Sequence, residues 1–556
     1  MTSATAPNQT ILGVFNGDNA SVTLLRNGRV EYSAQEERFN RVKLTRGYPV
    51  LAIEDCLKRT GLSPDDIDVV ACGAWAHPDE ATVKDYFASA SMLDGDRAAQ
   101  RLFSSLKADE PYKQEFFEAS RRMFPAATLR SYDHHSSHAH TAFYPSSFDD
   151  AYVITADGRG DLQSTVVWKA DRASGLTRVR SFSELKSLGS LYGQITGLLG
   201  FKPYRHEGKI TGLAAFGEMT DLVPKIHDLI RFVDGDYVLS NEYRPFSVWD
   251  YAELKERCAG YSREDIAFAV QHVLERNILD LITHYVPAGS NVCLAGGTFG
   301  NVKLNQRIRE HPHVKAYFVF PEMGDGGNSF GGAVAAAVEG GLTHLPLEGV
   351  YLGPDYDWTE EDLHGLVVER FDDQQALAAA TAEMLEANAV VGVFTGRMEY
   401  GPRALGARSI MIAASDAEIN KTVNHRLNRT EFMPFAPVTL AEHASDMYER
   451  FSPTDVNVRY MTTCYDCTDL MKKISPAVVH VDGTARPQLI SATYGPPLYH
   501  AILQAYHART GIPSLVNTSY NNHEEPIVCS PADAIDSLRK NNVDCIVTDG
   551  MIIRPR

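Results

Sequence analysis

The sequence predicts an α/β protein of two large domains. Three observations carry this. The 556 residues exceed what one hydrophobic core organises. Short apolar runs ending in Gly/Asp loops alternate with segments of helical periodicity. Finally, one strand–turn–strand unit occurs twice, at TILGVFN (10–16) with its following residues and at AYVITADGRGDLQSTVVWKA (151–170).

The chain opens with the apolar run at 10–16, a turn GDNAS (17–21) and VTLLRNGRVEYSAQEE, in which Asn27-Gly28 marks a second turn between strands. The later copy has the same grammar, which suits a duplicated nucleotide-handling fold as well as two unrelated hairpins. EDIAFAVQHVLERNILDLITHY (264–285) has apolar residues at helical spacing. VCLAGGTFGN then reads as a strand ending in glycines, and AYFVFPEMGDGGNSFGGAVAAAVEG (316–340) as a strand, a Gly/Asp loop and a small-residue helix. Such loops place backbone amides at helix N-termini, where anions bind. Pro and Gly cluster at 344–363, a predicted boundary with a fresh helix start at Thr359 to Glu361. Beyond it come an Ala-rich helix (374–388), a strand (390–396), a long polar stretch to about 440, the strand of SLVNTSYNNHEEPIV, a DAIDSLRKN helix and a final strand CIVTDGMIIR. No low-complexity segment or solenoid-type repeat interrupts this order.

Composition excludes several classes. The formal net charge of -18 opposes a phosphate backbone, so no nucleic-acid partner is expected. No apolar run approaches the roughly 18 to 20 residues that cross a bilayer, and MTSATAPNQT lacks the features of a leader, so a cytoplasmic protein with no membrane partner is expected. Cys56, Cys72, Cys258, Cys293, Cys464, Cys467, Cys529 and Cys545 are scattered and are expected to be reduced. The Cys464-x-x-Cys467 pair has no nearby second pair or histidine to complete a zinc site.

Three constellations carry chemistry. In DHHSSHAH (133–140), His134 and His138 stand four residues apart, a spacing that puts both imidazoles on one helix face as ligands of one metal. Asp157, at the end of an apolar strand, offers a third ligand, and Asp325 in MGDGGNS a fourth; imidazole with carboxylate suits iron, manganese or zinc. The same histidines suit a polar helix start and the same aspartates suit turns, and spacing does not separate these readings. In GRMEYGPRALGARSI (396–410) and RLNRTEFMPFAP (426–437), the five arginines Arg397, Arg403, Arg408, Arg426 and Arg429 are dense for an acidic protein and suit phosphate. In LVNTSYNNHEEPIV (515–528), Asn517, Thr518, Ser519 and Asn521 offer hydroxyls and amides to a polar ligand, or an ordinary strand-to-loop cap.

Taken together with QEERFNRVK (35–43), SLGSLYGQITGLLGF and HEGKITGLAAFG (187–217), LAGGTFGNVKLNQ, GDGGNSFGG, MPFAP and HVDGTARPQ (480–488), these motifs resemble the carbamoyltransferase family of nodulation-protein, cephalosporin, novobiocin and nebramycin O-carbamoyltransferases along nearly the whole chain. The resemblance implies an N-terminal Kae1-like domain of the actin/hsp70 ATPase type over 1–350 and a C-terminal YrdC-like domain over 351–556. It implies ATP-dependent O-carbamoyl transfer. Carbamoyl phosphate and ATP, with Mg2+, give carbamoyl adenylate at Arg403, Arg429, Asn517, Ser519 and Asn521. The carbamoyl group then passes to a hydroxyl of a small-molecule acceptor, as in antibiotic tailoring, at a second site. That site would have Fe(II) or another divalent transition metal on His134, His138, Asp157 and Asp325, the adenylate on Ser190, Gly296, Gly297 and Asn301, and Asp18 and Lys43 as catalytic residues.

Two departures from the family pattern stand out. Asp18-Asn19-Ala20-Ser21 replaces His-Asp-Ala-Ser, which makes Asp18 the expected base if burial raises its pKa. Met433 stands where relatives carry an arginine, leaving Lys421, Arg426 or Arg429 to compensate. The same domain pair also suits threonylcarbamoyl transfer to tRNA, which the net acidity opposes, or a non-catalytic actin-like nucleotide binder. A homodimer is the expectation from symmetry.

Overall fold

A computed structural model describes residues 9–91, 93–427 and 435–556. The chain forms two compact units, one comprising residues 1–32 and 46–347 and the other 33–45 and 348–556. The segment 33–45, expected in the N-terminal domain, thus groups with the C-terminal residues.

The first unit is a duplicated α/β structure. Its first sheet contains β1 (Thr10–Phe15), β2 (Ser21–Arg26), β3 (Arg29–Gln35), β4 (Val69–Cys72) and β5 (Thr128–Ser131) in the order β3-β2-β1-β4-β5. A second sheet follows with β6 (Asp150–Gly160), β7 (Gln163–Asp171) and β8 (Gly175–Ser183). After the small hairpin β9 (Ile230–Val233) and β10 (Asp236–Leu239), β11 (Ser290–Ala295) and β12 (Val314–Val319) complete it in the order β12-β11-β6-β7-β8. Read from the other edge, this is the order of the first sheet. In both, the first strand pairs antiparallel with the second and parallel with the fourth. Asn27 and Gly28 both take positive φ (52° and 71°), the turn geometry that the Asn-Gly pair predicts.

Hydrophobic burial fixes the layers. The helix Arg263–Tyr285 is capped by Ser262, whose side chain accepts from the Asp265 amide, and it buries Ile266, Val270, Val273, Leu274, Ile278, Leu281 and Ile282. Two further helices, His134–Phe143 and Asn328–Glu339, follow the fifth strand of each half and pack against each other. Small residues permit this approach. A Cβ on Gly331 would lie 2.3 Å from the Ser137 carbonyl oxygen, and one on Gly73 would lie 1.9 Å from that of Asn328.

The second unit is built on a mixed sheet of β13 (Val367–Arg370), β14 (Val391–Phe394), β15 (Arg408–Ala413), β16 (Ala436–Leu440), β19, β20, β21 and β22, with a small ribbon of β17 (Tyr465–Asp466) and β18 (Thr484–Ala485) beside it. Here β19 is Gln488–Ile490, β20 Ser514–Ser519, β21 Cys545–Thr548 and β22 Met551–Arg554, and the order is β13-β22-β21-β14-β15-β20-β16-β19. Three sequence expectations change. The helix start at Thr359 is a single turn, in which Thr359 and Asp362 satisfy each other before Gly365 at φ +81° ends it. The final strand is two, reversed at Asp549-Gly550, where Gly550 takes φ +79°. The polar stretch before 440 contains β15, the helix Ile419–Arg426 and β16, because β15 is buried on both faces and lacks the period-two signal. Among the described residues no helix is long and apolar enough to cross a membrane.

The Gly331–Ser137 contact predicts that Gly331→Val destabilises the protein by about 1–3 kcal/mol through overpacking. A lowered midpoint of denaturant unfolding checks it, and an unchanged midpoint would contradict the helix contact.

Candidate metal centre and nucleotide-handling residues

His134, His138, Asp157 and Asp325 come together in the first unit, with ligand atoms all within 4.8 Å of one another. His134 Nε2 lies 3.2 Å from His138 Nε2, 3.8 Å from Asp157 Oδ2 and 3.5 Å from Asp325 Oδ1. His138 Nε2 lies 3.3 Å from Asp157 Oδ2 and 3.6 Å from Asp325 Oδ1. Such separations suit ligand atoms sharing one ion at about 2.0–2.2 Å. Two carboxylates and two imidazoles would also balance a divalent charge, so the donor set fits a transition metal.

Local structure explains each ligand's aim. Asp133 caps the helix His134–Phe143 by accepting from the Ser136 amide, and the i, i+4 spacing puts both imidazoles on one face. The His134 amide donates to Asp161 Oδ2 at 2.8 Å. Asp157 stands in a bulge, because β6 and β7 lose register between Ala156 and Gly160, and bulges re-aim side chains. Its two oxygens accept from the Gly158 amide at 2.8 Å and the Gly297 amide at 3.0 Å. Gly160 leaves room for the His134 ring, since a Cβ there would meet Cδ2 at 2.1 Å.

The electrostatics are those of a cation site. Burial alone would lower the His134 pKa, but Asp325 and Asp157 outweigh it and raise it to about 9. Asp157 is held well below the carboxylate range: burial opposes its charge, yet hydrogen bonds from His134 and His138 prevail. Asp325 is pushed up by burial and by Asp157. Neighbouring Asp161 is pushed up to about 7 by burial and Asp133. His135, bonded through Nδ1 to Thr155 Oγ1 at 2.9 Å, is driven well down by burial and so stays neutral.

Around Asp157 lie several residues implied for the adenylate. Ser190 Oγ donates to the Gly158 carbonyl at 3.2 Å, Gly297 binds Asp157, and Gly296 turns the chain at φ +102°. Asn301 instead caps the helix Val302–Arg309 and exchanges hydrogen bonds with Gln271. Asp18 is not the buried carboxylate expected of a base: its side chain is 45% exposed and is gripped by Arg46, whose Nη2 lies 2.6 Å from Oδ2. Lys43 is partly buried in the segment that groups with the second unit. The sequence reading missed Asn16, Trp75 and Tyr112. Trp75 takes φ +68°, donates to Asn16 Oδ1 at 2.8 Å, and stacks between Phe15 and Tyr112. Only its positive φ marks it, and that is invisible in sequence.

In the second unit most of the arginine cluster is engaged internally. Arg397 donates to the carbonyls of Leu352 and Gly353, and Arg426 binds Asp544 and the Asn541 carbonyl. Arg408 is fully buried, donates from Nη1 to the carbonyls of Thr395, Gly396 and Ala407, and stacks 3.6 Å over Phe394; its Nε and Nη2 have no hydrogen-bond partner among the described residues. Lys421 pairs with Glu418. Arg429 and Met433 lie outside the described residues. Arg403 is partly buried on a loop braced from below: Asn517 Nδ2 donates to the Ala404 carbonyl and to Gln488 Oε1, and Gln488 donates to the Leu405 carbonyl. The Oδ1 of Asn517 is buried with no hydrogen-bond partner among the described residues. Ser519 ends the same strand, and Asn521 Nδ2 closes the next turn on the Glu525 carbonyl at 2.7 Å. Gln488, in the HVDGTARPQ motif, is a further residue whose bracing role only the structure reveals.

Metal affinity is expected to depend on pH with a definite sign. In the metal-free protein the raised pKa of His134 means that its ion pairing stabilises the fold fully below about pH 6.5 and fades as pH rises through about 9. A cation must displace that proton. Affinity for Co(II) should therefore climb by about tenfold per pH unit toward pH 9 and then level off, as read by chelator competition. A pH-independent affinity would contradict the cluster's electrostatics.

Comparison with known proteins places these two sets of residues in one family. The pattern described as "Carbamoyltransferase N-terminus" matches residues 10–335, and that described as "Carbamoyltransferase C-terminus" matches 382–555. Nodulation protein NolNO of Sinorhizobium fredii is 31% identical over 98% of this chain and 79% of that protein. Nodulation protein U of the same species is 27% identical over 98% of this chain and 99% of that protein. Among solved structures, full-length HypF in its phosphate- and nucleotide-bound form is 13% identical, with a TM-score of 0.36 over 60% of this chain and 47% of that one. With both regions matched in order around the two sites, the chain belongs to the carbamoyltransferase family.

Proposed function

We propose that this chain is an ATP-dependent O-carbamoyltransferase that forms carbamoyl adenylate and passes its carbamoyl group to a hydroxyl of a small natural product. The observation that carries this is the His134–His138–Asp157–Asp325 cluster, a buried cation-ready centre within the N-terminal family region. Fe(II) or another divalent transition metal is the proposed occupant, Mg2+ accompanies ATP, and the setting is cytoplasmic.

In the proposed first reaction, carbamoyl phosphate gives up its phosphate to water. The resulting carbamate oxygen attacks the α-phosphorus of ATP, and the bond to the β-phosphate breaks to release pyrophosphate. Arg403 and Arg429 would bind phosphate oxygens, with Ser519, Asn521 and Asn517 holding the carbamoyl end. Asn517 and Gln488 serve this step a second way, by holding the Ala404–Leu405 backbone and so the base of Arg403. The unpaired edge of the Arg408 guanidinium supplies fixed positive charge nearby in sequence.

In the second reaction the acceptor oxygen attacks the carbamoyl carbon, the bond to the phosphate oxygen of AMP breaks, and the acceptor proton passes to a base. A bound divalent cation supplies Lewis-acid charge that offsets the negative charge on the leaving phosphate. Ser190, Gly296, Gly297 and Asn301 would line the adenylate, and Gly297 also fixes the aim of Asp157. Asp18 is the proposed base. Arg46 Nη2, 2.6 Å from Asp18 Oδ2, would orient that carboxylate toward the acceptor. Lys43 keeps the catalytic place that the resemblance gives it.

With ATP and carbamoyl phosphate, the protein should show ATP–pyrophosphate exchange and, with an acceptor from a panel of hydroxylated natural products, a product heavier by one carbamoyl unit. His138→Ala should keep the exchange and lose the product, whereas Arg403→Ala should lower the exchange by about a hundredfold or more. Absence of exchange in the unaltered protein would sink the reading. Asp18→Asn should lower product formation by about 10²–10⁴-fold at saturating acceptor without changing the exchange. Unchanged transfer would remove Asp18 from the mechanism.

A further inference from the structure

We infer that Asn328 is a fifth ligand of the metal centre, binding through its side-chain oxygen. The inference rests on reading the His134–His138–Asp157–Asp325 cluster as a metal site.

Asn328 is fully buried as the first residue of the helix Asn328–Glu339. Its Nδ2 lies 3.3 Å from the ligand atom His138 Nε2, and 3.4 Å from His134 Nδ1, the ring nitrogen that does not face the cluster. Its Oδ1 is buried with no hydrogen-bond partner among the described residues. A buried amide oxygen left so costs about 1–3 kcal/mol.

A cation resolves this. His138 Nε2 is the atom that also faces Asp157 and Asp325, and it has one lone pair. Once that lone pair binds a metal, an N–H of Asn328 has nothing to donate to there. The terminal torsion of asparagine is broad and nearly two-fold, so the amide turns in place and exchanges the two ends. The oxygen then stands about 3.3 Å from His138 Nε2, the ligand-to-ligand separation already found among the other four. Amide oxygens are ordinary partners of harder divalent ions, and a fifth position is accessible to zinc-like and iron-like centres.

The duplication supports the same assignment. His134 is the first residue of the helix after β5, and Asn328 is the first residue of the corresponding helix after β12. The two halves thus offer a ligating side chain from equivalent positions, and the Gly73 contact with the Asn328 carbonyl holds the second one at its station.

The test is anaerobic loading of the full chain with Co(II), read by chelator competition and by the ligand-field absorption spectrum. Asn328→Leu, similar in size but without an oxygen, should bind Co(II) at least about tenfold more weakly and show an altered spectrum. Asn328→Asp, isosteric and anionic, should bind at least as tightly as the unaltered protein and shift the spectrum. If Asn328→Leu does not fold, Asn328→Asp decides alone. Affinities within about twofold of the unaltered protein together with superimposable spectra would overturn the assignment. Failure of the unaltered protein to take up Co(II) would overturn the metal-centre reading and this assignment with it, whereas uptake indifferent to residue 328 overturns this assignment alone.

Discussion

The first unit depends on holding two carboxylates, Asp157 and Asp325, beside two imidazoles in a buried place. Two like charges about 4 Å apart repel by about 4 kcal/mol even at an effective dielectric near 20. The fold tolerates this because both carboxylates face His134 and His138, and because Asp157 also receives two backbone amides. Without a cation, the raised affinity of His134 for a proton carries the balance. The arrangement amounts to stored electrostatic demand, and a divalent ion is the simplest group that meets it.

The duplication explains why the demand arises where it does. Each half places a turn after its first strand and a helix after its fifth. Asp18 lies in the turn after β1 and Asp157 in the bulge near the end of β6, while His134 and Asn328 start the two helices and Asp325 precedes the second. Contact between the two helices, made through Gly331, and the close approach of Gly73 after β4 to Asn328 bring both halves to one point. The halves then diverge. Asp157 is aimed inward by a bulge and two amides, whereas Asp18 stays half exposed on Arg46. One is therefore suited to bind a cation, and the other is held in an ion pair near the surface.

The second unit handles charge in the opposite way. It clusters five arginines within 397–429, yet Arg397, Arg408 and Arg426 are committed to carbonyls and to Asp544. The contacts of Arg408 tie together the ends of the segment that carries Arg403. The bracing of that loop by Asn517 and Gln488 links the NTSYN and HVDGTARPQ motifs physically, although nearly thirty residues separate them.

Much of this was legible in the amino-acid order alone. The repeated strand–turn–strand unit, the Asn27-Gly28 reversal and the helix over 264–285 follow from local periodicity and turn chemistry, which act within a few residues. The spacing of His134 and His138 already put two imidazoles on one helix face. Tertiary structure decided the rest. It converted the Thr359 helix start into one turn and split the final strand at Gly550. It also joined His134, Asp157, Asp325 and Asn328 across nearly two hundred residues, and it turned most of the arginine cluster inward. Local signals state what a side chain can do, but which groups share a buried volume is set by the packing of glycine-lined helices and by a bulge, neither of which has a signature in the ligands themselves.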